Sequence, residues 1–211
     1  MIGILGKGHA GNGIAKALSE NGFEHKFLNI RSPAGINDEL HNLEYIFISV
    51  YPSLVPDFIA AAEDRSKIIE ASSVKTNISK FSGQIISIDP IFLESGNKQI
   101  AILTDISRIN GEQTVRAIFK KHNVVPLTIQ DHAESILFPR VCSYIMAMMM
   151  LQNPSSQVGP LSYKPFGINC VQDGTSIQAM RDTIRTSGMA DRAFIQVEKY
   201  LKKTWNELSF Y

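Results

Sequence analysis

The chain opens Met1-Ile2-Gly3-Ile4-Leu5-Gly6-Lys7-Gly8-His9-Ala10-Gly11-Asn12-Gly13, a short apolar run that ends in a Gly-x-Gly-x-x-Gly turn and passes into the helical pattern Ile14-Ala15-Lys16-Ala17-Leu18. A second apolar run, Lys26-Phe27-Leu28-Asn29-Ile30, follows. Strand, tight turn, helix and strand in that order form a βαβ unit, whose right-handed crossover commits the chain to a parallel sheet. Each glycine of the turn has its own task. Gly6 makes the tight turn, Gly8 lets the backbone approach a pyrophosphate, and Gly11 lets the helix pack closely on the sheet. The free N–H groups at the start of the helix then face phosphate. The corner formed by Gly6, Lys7, Gly8, His9, Ala10 and Gly11 therefore implies a bound dinucleotide. Lys7 and His9 either reach the phosphate or face solvent. The alternative is a glycine-rich turn with no ligand, and the complete βαβ context argues against it.

The end of the second strand decides which dinucleotide is favoured. An NAD site places a carboxylate there for the ribose hydroxyls. This chain has Asn29-Ile30-Arg31-Ser32, with no acid. Asn29, Arg31 and Ser32 offer amide, guanidinium and hydroxyl donors where a 2′-phosphate would need them, which favours NADP over NAD. NAD stays possible, because Asp38 or Glu39 lies close enough in sequence to take the acidic part.

A chain of 211 residues, 44% hydrophobic and carrying a formal charge of +1, can bury one nucleotide domain and a smaller appendage. Near-neutral charge without basic runs gives no footprint for nucleic acid, so a small molecule is the expected partner. Cys142 and Cys170 are the only cysteines, and they have no metal-ligand spacing. No metal is expected. A strand that starts at Met1 leaves no room for a signal peptide, which suggests a reduced, cytoplasmic protein. The most apolar stretch, Tyr144 to Leu151, is too short to span a bilayer.

Further apolar runs at Leu43 to Val50, Lys67 to Ala71, Gln84 to Ile88 and Gln99 to Leu103 alternate with helical patterns at Val55 to Glu63 and Asn110 to His122. Val124-Val125-Pro126-Leu127 reads as a late strand whose proline puts it at a sheet edge. After Gln130 the strand signals stop. A long helix is expected from Asp131 to about Gln152, then a loop to about Lys164, then helices from Ser176 to Leu208. The expected fold is α/β: an N-terminal Rossmann-type, mostly parallel sheet over 1–129, and a small all-helical domain over 130–211.

Several motifs then fall in a characteristic order. The glycine loop comes first, and a later strand ends Ile48-Ser49-Val50-Tyr51-Pro52. The next ends Ser72-Ser73-Val74-Lys75, another runs Ile88-Asp89-Pro90-Ile91-Phe92, and Gln130-Asp131-His132 opens the long helix. In this order the chain resembles the prephenate and arogenate dehydrogenases of tyrosine biosynthesis, within the 6-phosphogluconate-dehydrogenase-like Rossmann superfamily. The resemblance runs to about Leu151. It implies oxidative decarboxylation of a carboxylated ring, with Val50, Tyr51 and Pro52 beside the nicotinamide and Ser73 between nicotinamide and substrate. One departure matters. Where the family has a histidine before proline, this chain has Asp89.

An ionised carboxylate at Asp89 can accept a hydroxyl proton, although an ordinary aspartate with a pKa of about 4 is a weak base at neutral pH. The other reading is a turn cap ahead of Pro90. Ser73 is either catalytic or the N-cap of a helix over Val74 to Phe81. Lys75 is either structural or exposed, or it compensates substrate charge. A dicarboxylate substrate needs guanidinium donors, and Arg140 is the first choice, with Arg181 and Arg185 second or simply solvated. The family segment that carries one such arginine is missing between Lys164 and Gln172. His132 is either substrate-facing or a first-turn residue behind an Asp131 N-cap. The apolar stripe Met146, Met148, Met149, Met150, Leu151 implies cover by a second subunit, hence a homodimer. Two other functions remain open: an NADPH-dependent reductase of a small ketone or imine, and a non-catalytic NADP-binding sensor.

Overall fold

A computed structural model of the chain describes residues 1–91, 98–151 and 177–208, the side chains of 150, 151 and 204–208 excepted. Phe92, Cys170 and the stretch from Lys164 to Gln172 lie outside the described residues. The strands are β1 Ile2–Leu5, β2 His25–Leu28, β3 Tyr45–Ile48, β4 Ile68–Glu70, β5 Ile86–Pro90, β6 Gln99–Leu103 and β7 Asn123–Leu127. The helices are α1 His9–Glu20, α2 Ile36–Leu40, α3 Val55–Ala61, α4 Gly111–Ile118, α5 Ile129–His132, α6 Phe138–Leu151, α7 Ile177–Ser187 and α8 Ala190–Leu208.

The chain divides after His132 into a sheet unit and a helical unit, three residues beyond the boundary expected at Ile129. In the first unit a seven-stranded sheet has the order β2-β1-β3-β4-β5-β6-β7. Every neighbouring pair is parallel except β5 and β6. Too few residues separate Pro90 from Gln99 for a helical crossover, so that pair runs antiparallel. β7 holds the edge, where Pro126 needs no ladder donor on its open side.

Alternation along the strands gives the sheet two apolar faces. On one, Leu5, Ile48, Ile68 and Leu103 pack with Ile36 and Leu40 of α2 and Val55, Phe58 and Ile59 of α3. On the other, Ile4, Phe47, Ile69, Ile88 and Ile102 pack with Ile14 and Leu18 of α1 and Val115 and Ile118 of α4. In the helical unit α6 packs on α7 and α8 around Tyr144, Ala147 and Met180. There the Arg192 guanidinium forks onto both Glu134 carboxylate oxygens at 2.7 Å and lies 4.2 Å over the Phe138 ring.

Three expected helices differ by more than a residue or two, and the one expected from Asp131 is divided into α5, a π-helical turn at Ala133–Leu137 and α6. Val74 to Phe81 forms only a 3-10 turn, Thr76–Phe81, and Lys75, not Ser73, stands at its N-cap position. The Asn77 amide is committed to the Pro52 carbonyl at 2.7 Å, which binds this short turn to the loop after β3. The helix expected to reach His122 ends at Ile118.

Candidate active site

Because β1 lies between β2 and β3, the chain leaves it in opposite directions, and the crevice beyond its carboxyl end is the usual ligand position of an open α/β sheet. Gly6 stands there at φ +108°, and a Cβ on it would meet the Ser49 carbonyl oxygen at 2.4 Å. A Cβ on Gly11 would lie 1.9 Å from the Gly6 oxygen, so only glycine lets α1 approach the strand. A Cβ on Gly8 would meet nothing within 4 Å. That glycine leaves open space directly before the first turn of α1, where Gly8 is the N-cap and no side chain caps the free N–H groups. The residues present thus fit a phosphate-bearing ligand. Ser49 secures the corner, its hydroxyl donating to the Leu5 carbonyl at 3.1 Å and the Gly6 carbonyl at 3.3 Å.

The register Leu5 to Leu28 sets Asn29 level with Gly6. Asn29, Arg31 and Ser32 are all exposed around this strand end. Of the acidic alternatives, Glu39 is paired with Lys26 at 2.7 Å, and Asp38 is exposed on α2. Lys7 is exposed with its ammonium 5.6 Å over the Phe27 ring, whereas His9 and Ala10 are half-buried in the first turn of α1. At the end of β3, Val50 is half-buried, Tyr51 exposed and Pro52 buried.

β4 and β5 run parallel to β1, so they deliver Ser73 and Asp89 to this same edge of the sheet. Glu70, Ser87 and Asp89 replace apolar residues on one face here, and all three are buried. The Lys75 ammonium, 1% exposed, donates to Glu70 Oε2 at 2.8 Å and to the Ile88 carbonyl at 2.6 Å. Ser87 Oγ also donates to Glu70 Oε2 at 2.8 Å, and the Ser72 N–H donates to Glu70 Oε1. Lys75 is therefore an interior cation whose charge Glu70 balances; the exposed reading does not hold. Ser73 is half-buried beside this network.

Asp89 meets a partner that spacing alone did not reveal. His132 Nε2 stands 2.9 Å from Asp89 Oδ2, and both residues are buried. The expected Asp131 N-cap is displaced by one turn. Thr128 Oγ1 accepts from the Asp131 N–H at 3.1 Å and donates to Asp131 Oδ2 at 2.8 Å, and that reciprocal pair caps the short α5.

In the helical unit Arg140 is half-buried on α6. Arg181 and Arg185 are exposed on α7 and edge a 260 Å³ hollow floored by Ile145, Met148, Ile184 and Phe194. Arg185 is also paired with Asp182 at 3.0 Å. Cys142 is free, and burial pushes its thiol above the ordinary range. Among the described residues no group of His, Cys, Asp and Glu could hold a metal ion, and no helix is long and apolar enough to cross a membrane.

Solved structures share this architecture. Prephenate dehydrogenase from Aquifex aeolicus, in complex with hydroxyphenyl propionate and NAD+, superposes with a TM-score of 0.65 at 13% identity, over 99% of this chain and 88% of that one. The chain has the fold of these dehydrogenases. Synechocystis arogenate dehydrogenase gives 0.56 at 14% identity over 99% and 90% of the two chains. A variant of the Myxococcus stipitatus imine reductase, in complex with NAD+, gives 0.51 at 11% identity over 97% and 77%. No protein-family model matches the sequence, and no curated protein matches it.

Sequence reasoning missed Glu70, Ser87 and Ser49. An acid inside the apolar run Lys67-Ile68-Ile69-Glu70-Ala71 was the available signal, because a buried carboxylate needs a partner.

Proposed function

We propose that the chain is a nicotinamide-dependent oxidoreductase acting on a small carboxylated substrate, by oxidative decarboxylation of prephenate or arogenate. The observation that carries this reading is the shared sheet edge. The open glycine corner, Val50 and Pro52, Ser73 and the buried Asp89–His132 pair all follow strands that end on it or pack against it. Gly6, Gly8 and Gly11 bring backbone N–H groups to the diphosphate, with Lys7, His9 and Ala10 around it. Asn29, Arg31 and Ser32 receive a 2′-phosphate, so NADP is the preferred cofactor and NAD the weaker one. When bound, the nicotinamide supplies a two-electron acceptor.

The protein's own part is to orient, exclude water and take one proton. The Ser73 hydroxyl orients substrate, and the Asp89–His132 pair accepts the proton of the ring hydroxyl as its carbon is oxidised. Arg140 receives a substrate carboxylate, while Lys75 acts at a distance by balancing Glu70. The helical unit forms a homodimer. Exposed Phe194, Ile195, Tyr200 and Leu201 on α8 support this, since one helix face already buries Ala193 and Val197.

The test is absorbance at the reduced-nicotinamide band with prephenate and then arogenate, each offered with NADP and NAD. Growth of the band with one substrate, faster with NADP, supports the reading. Flat traces throughout reject it. The fold shared with an imine reductase favours a second reading, reduction of a small ketone or imine, in which NADPH is consumed by those compounds instead.

A further inference from the structure

Asp89 and His132 lie 43 residues apart in the chain, and the fold joins them. With Asp89 ionised, its carboxylate can only accept, so the ring nitrogen 2.9 Å away must carry the hydrogen. That fixes His132 as the Nε2–H tautomer and leaves the lone pair on Nδ1. Nδ1 is itself buried and meets no hydrogen-bond partner among the described residues. An unsatisfied buried polar atom is destabilising, so its persistence needs a reason.

The backbone that carries the ring is also fixed by hydrogen bonds. The Thr128–Asp131 capping pair sets the start of α5, both Asp105 carboxylate oxygens accept from the Ile129 N–H at 2.9 and 3.1 Å, and the His132 N–H reaches the Thr128 carbonyl at 2.9 Å. Directly after His132 the chain makes a π-helical turn, Ala133–Leu137, a feature concentrated at functional sites.

We propose that His132 Nδ1 is the proton acceptor of this site and that Asp89 is the positioning carboxylate that sets its tautomer. The assignment rests on the oxidoreductase reading above. In the step, the substrate O–H bond breaks and an N–H bond forms at Nδ1, while the O–H electron pair stays on oxygen as the carbonyl forms. The carbon's C–H bond breaks with its electron pair leaving with the hydrogen to an oxidised nicotinamide dinucleotide. The C–C bond to the ring carboxylate then breaks, releasing carbon dioxide and returning an electron pair to the ring oxygen, which takes the proton back from Nδ1 as a phenol. The pair thus does the work of the single histidine that the resemblance leads one to expect at position 89, with the imidazole supplied from α5.

Nitrogen-15 NMR of the histidine-labelled wild-type protein tests this without substrate. At neutral pH the expected spectrum has the His132 proton on Nε2 and a bare Nδ1; a proton on Nδ1, in a neutral or charged ring, overturns the proposal. His132→Gln should keep its dinucleotide affinity and lose 10²- to 10⁴-fold in kcat, roughly the contribution of a general base. Retained dinucleotide affinity with kcat within about threefold of wild type overturns it as well. If wild type binds the dinucleotide but turns over neither prephenate nor arogenate, the functional reading fails, and the spectrum still decides the tautomer.

Discussion

Gly8 and Gly11 stand three positions apart in one motif but face opposite surroundings. Gly11→Ala forces a methyl against the Gly6 carbonyl, which is backbone and cannot swing aside, so a loss of about 3 kcal/mol is expected, the upper part of the overpacking range. Gly8→Ala meets open space and should leave the thermal midpoint within about 1 °C, under the roughly 2–4 °C expected for 1 kcal/mol in a chain of this length, while weakening dinucleotide binding at least tenfold. Thermal unfolding and cofactor titration of the two variants separate these effects. Lys75 makes a comparable case in the interior. Lys75→Met leaves the Glu70 carboxylate buried without its cation and should cost about 3–5 kcal/mol in denaturant unfolding, whereas Glu70→Gln with Lys75→Met should recover more than half of it. The glycines were legible because their geometry is local. Lys75 was not: Glu70 stands only five residues before it, at the end of β4, but no spacing rule separates a buried ion pair from a solvated lysine.

Short elements carry the site's precision. α5 has only four residues, so its capping pair and the Asp105 carboxylate hold it in place of length. Thr128→Ala removes the cap, and the expected loss is about 1 kcal/mol of stability by urea unfolding. A shift of the His132 ring resonances should accompany it, since the cap sets where that ring stands. Strand positions and types were readable from apolar runs bounded by turn residues, and the edge assignment of β7 followed from Pro126. Helix ends were read less well. Val74 to Phe81 has apolar spacing suited to a helix, but tertiary bonds such as Asn77 to Pro52 hold it as a 3-10 turn. The Asp131 cap was misplaced by one turn because Thr128 and Asp131 are both good capping residues, and only the backbone shows which one leads.

For the whole chain, the division into a sheet unit and a helical unit was legible because strand signals stop after Gln130. The Asp89–His132 contact was not, since 43 residues separate its partners and β5, β6 and β7 must assemble before α5 can approach. The apolar surface of α8, with Phe194 52% and Ile195 54% exposed, bears on assembly. Light scattering at micromolar concentration should report a particle of about twice 23.4 kDa, and Phe194→Asp should shift it toward the single chain. A wild-type particle of 23.4 kDa would show the chain to be a monomer.

Isothermal titration of the wild-type chain with NADPH, NADP+ and NAD+ asks whether the Gly6–Gly11 corner holds the diphosphate of a nicotinamide coenzyme. Saturable binding at one site per chain is expected, tighter for the phosphorylated pair, and weakened at least tenfold by Gly8→Ala in a protein that unfolds at the wild-type temperature. Absence of heat with all three coenzymes, or affinities that Gly8→Ala leaves unchanged, would contradict a diphosphate site at that corner.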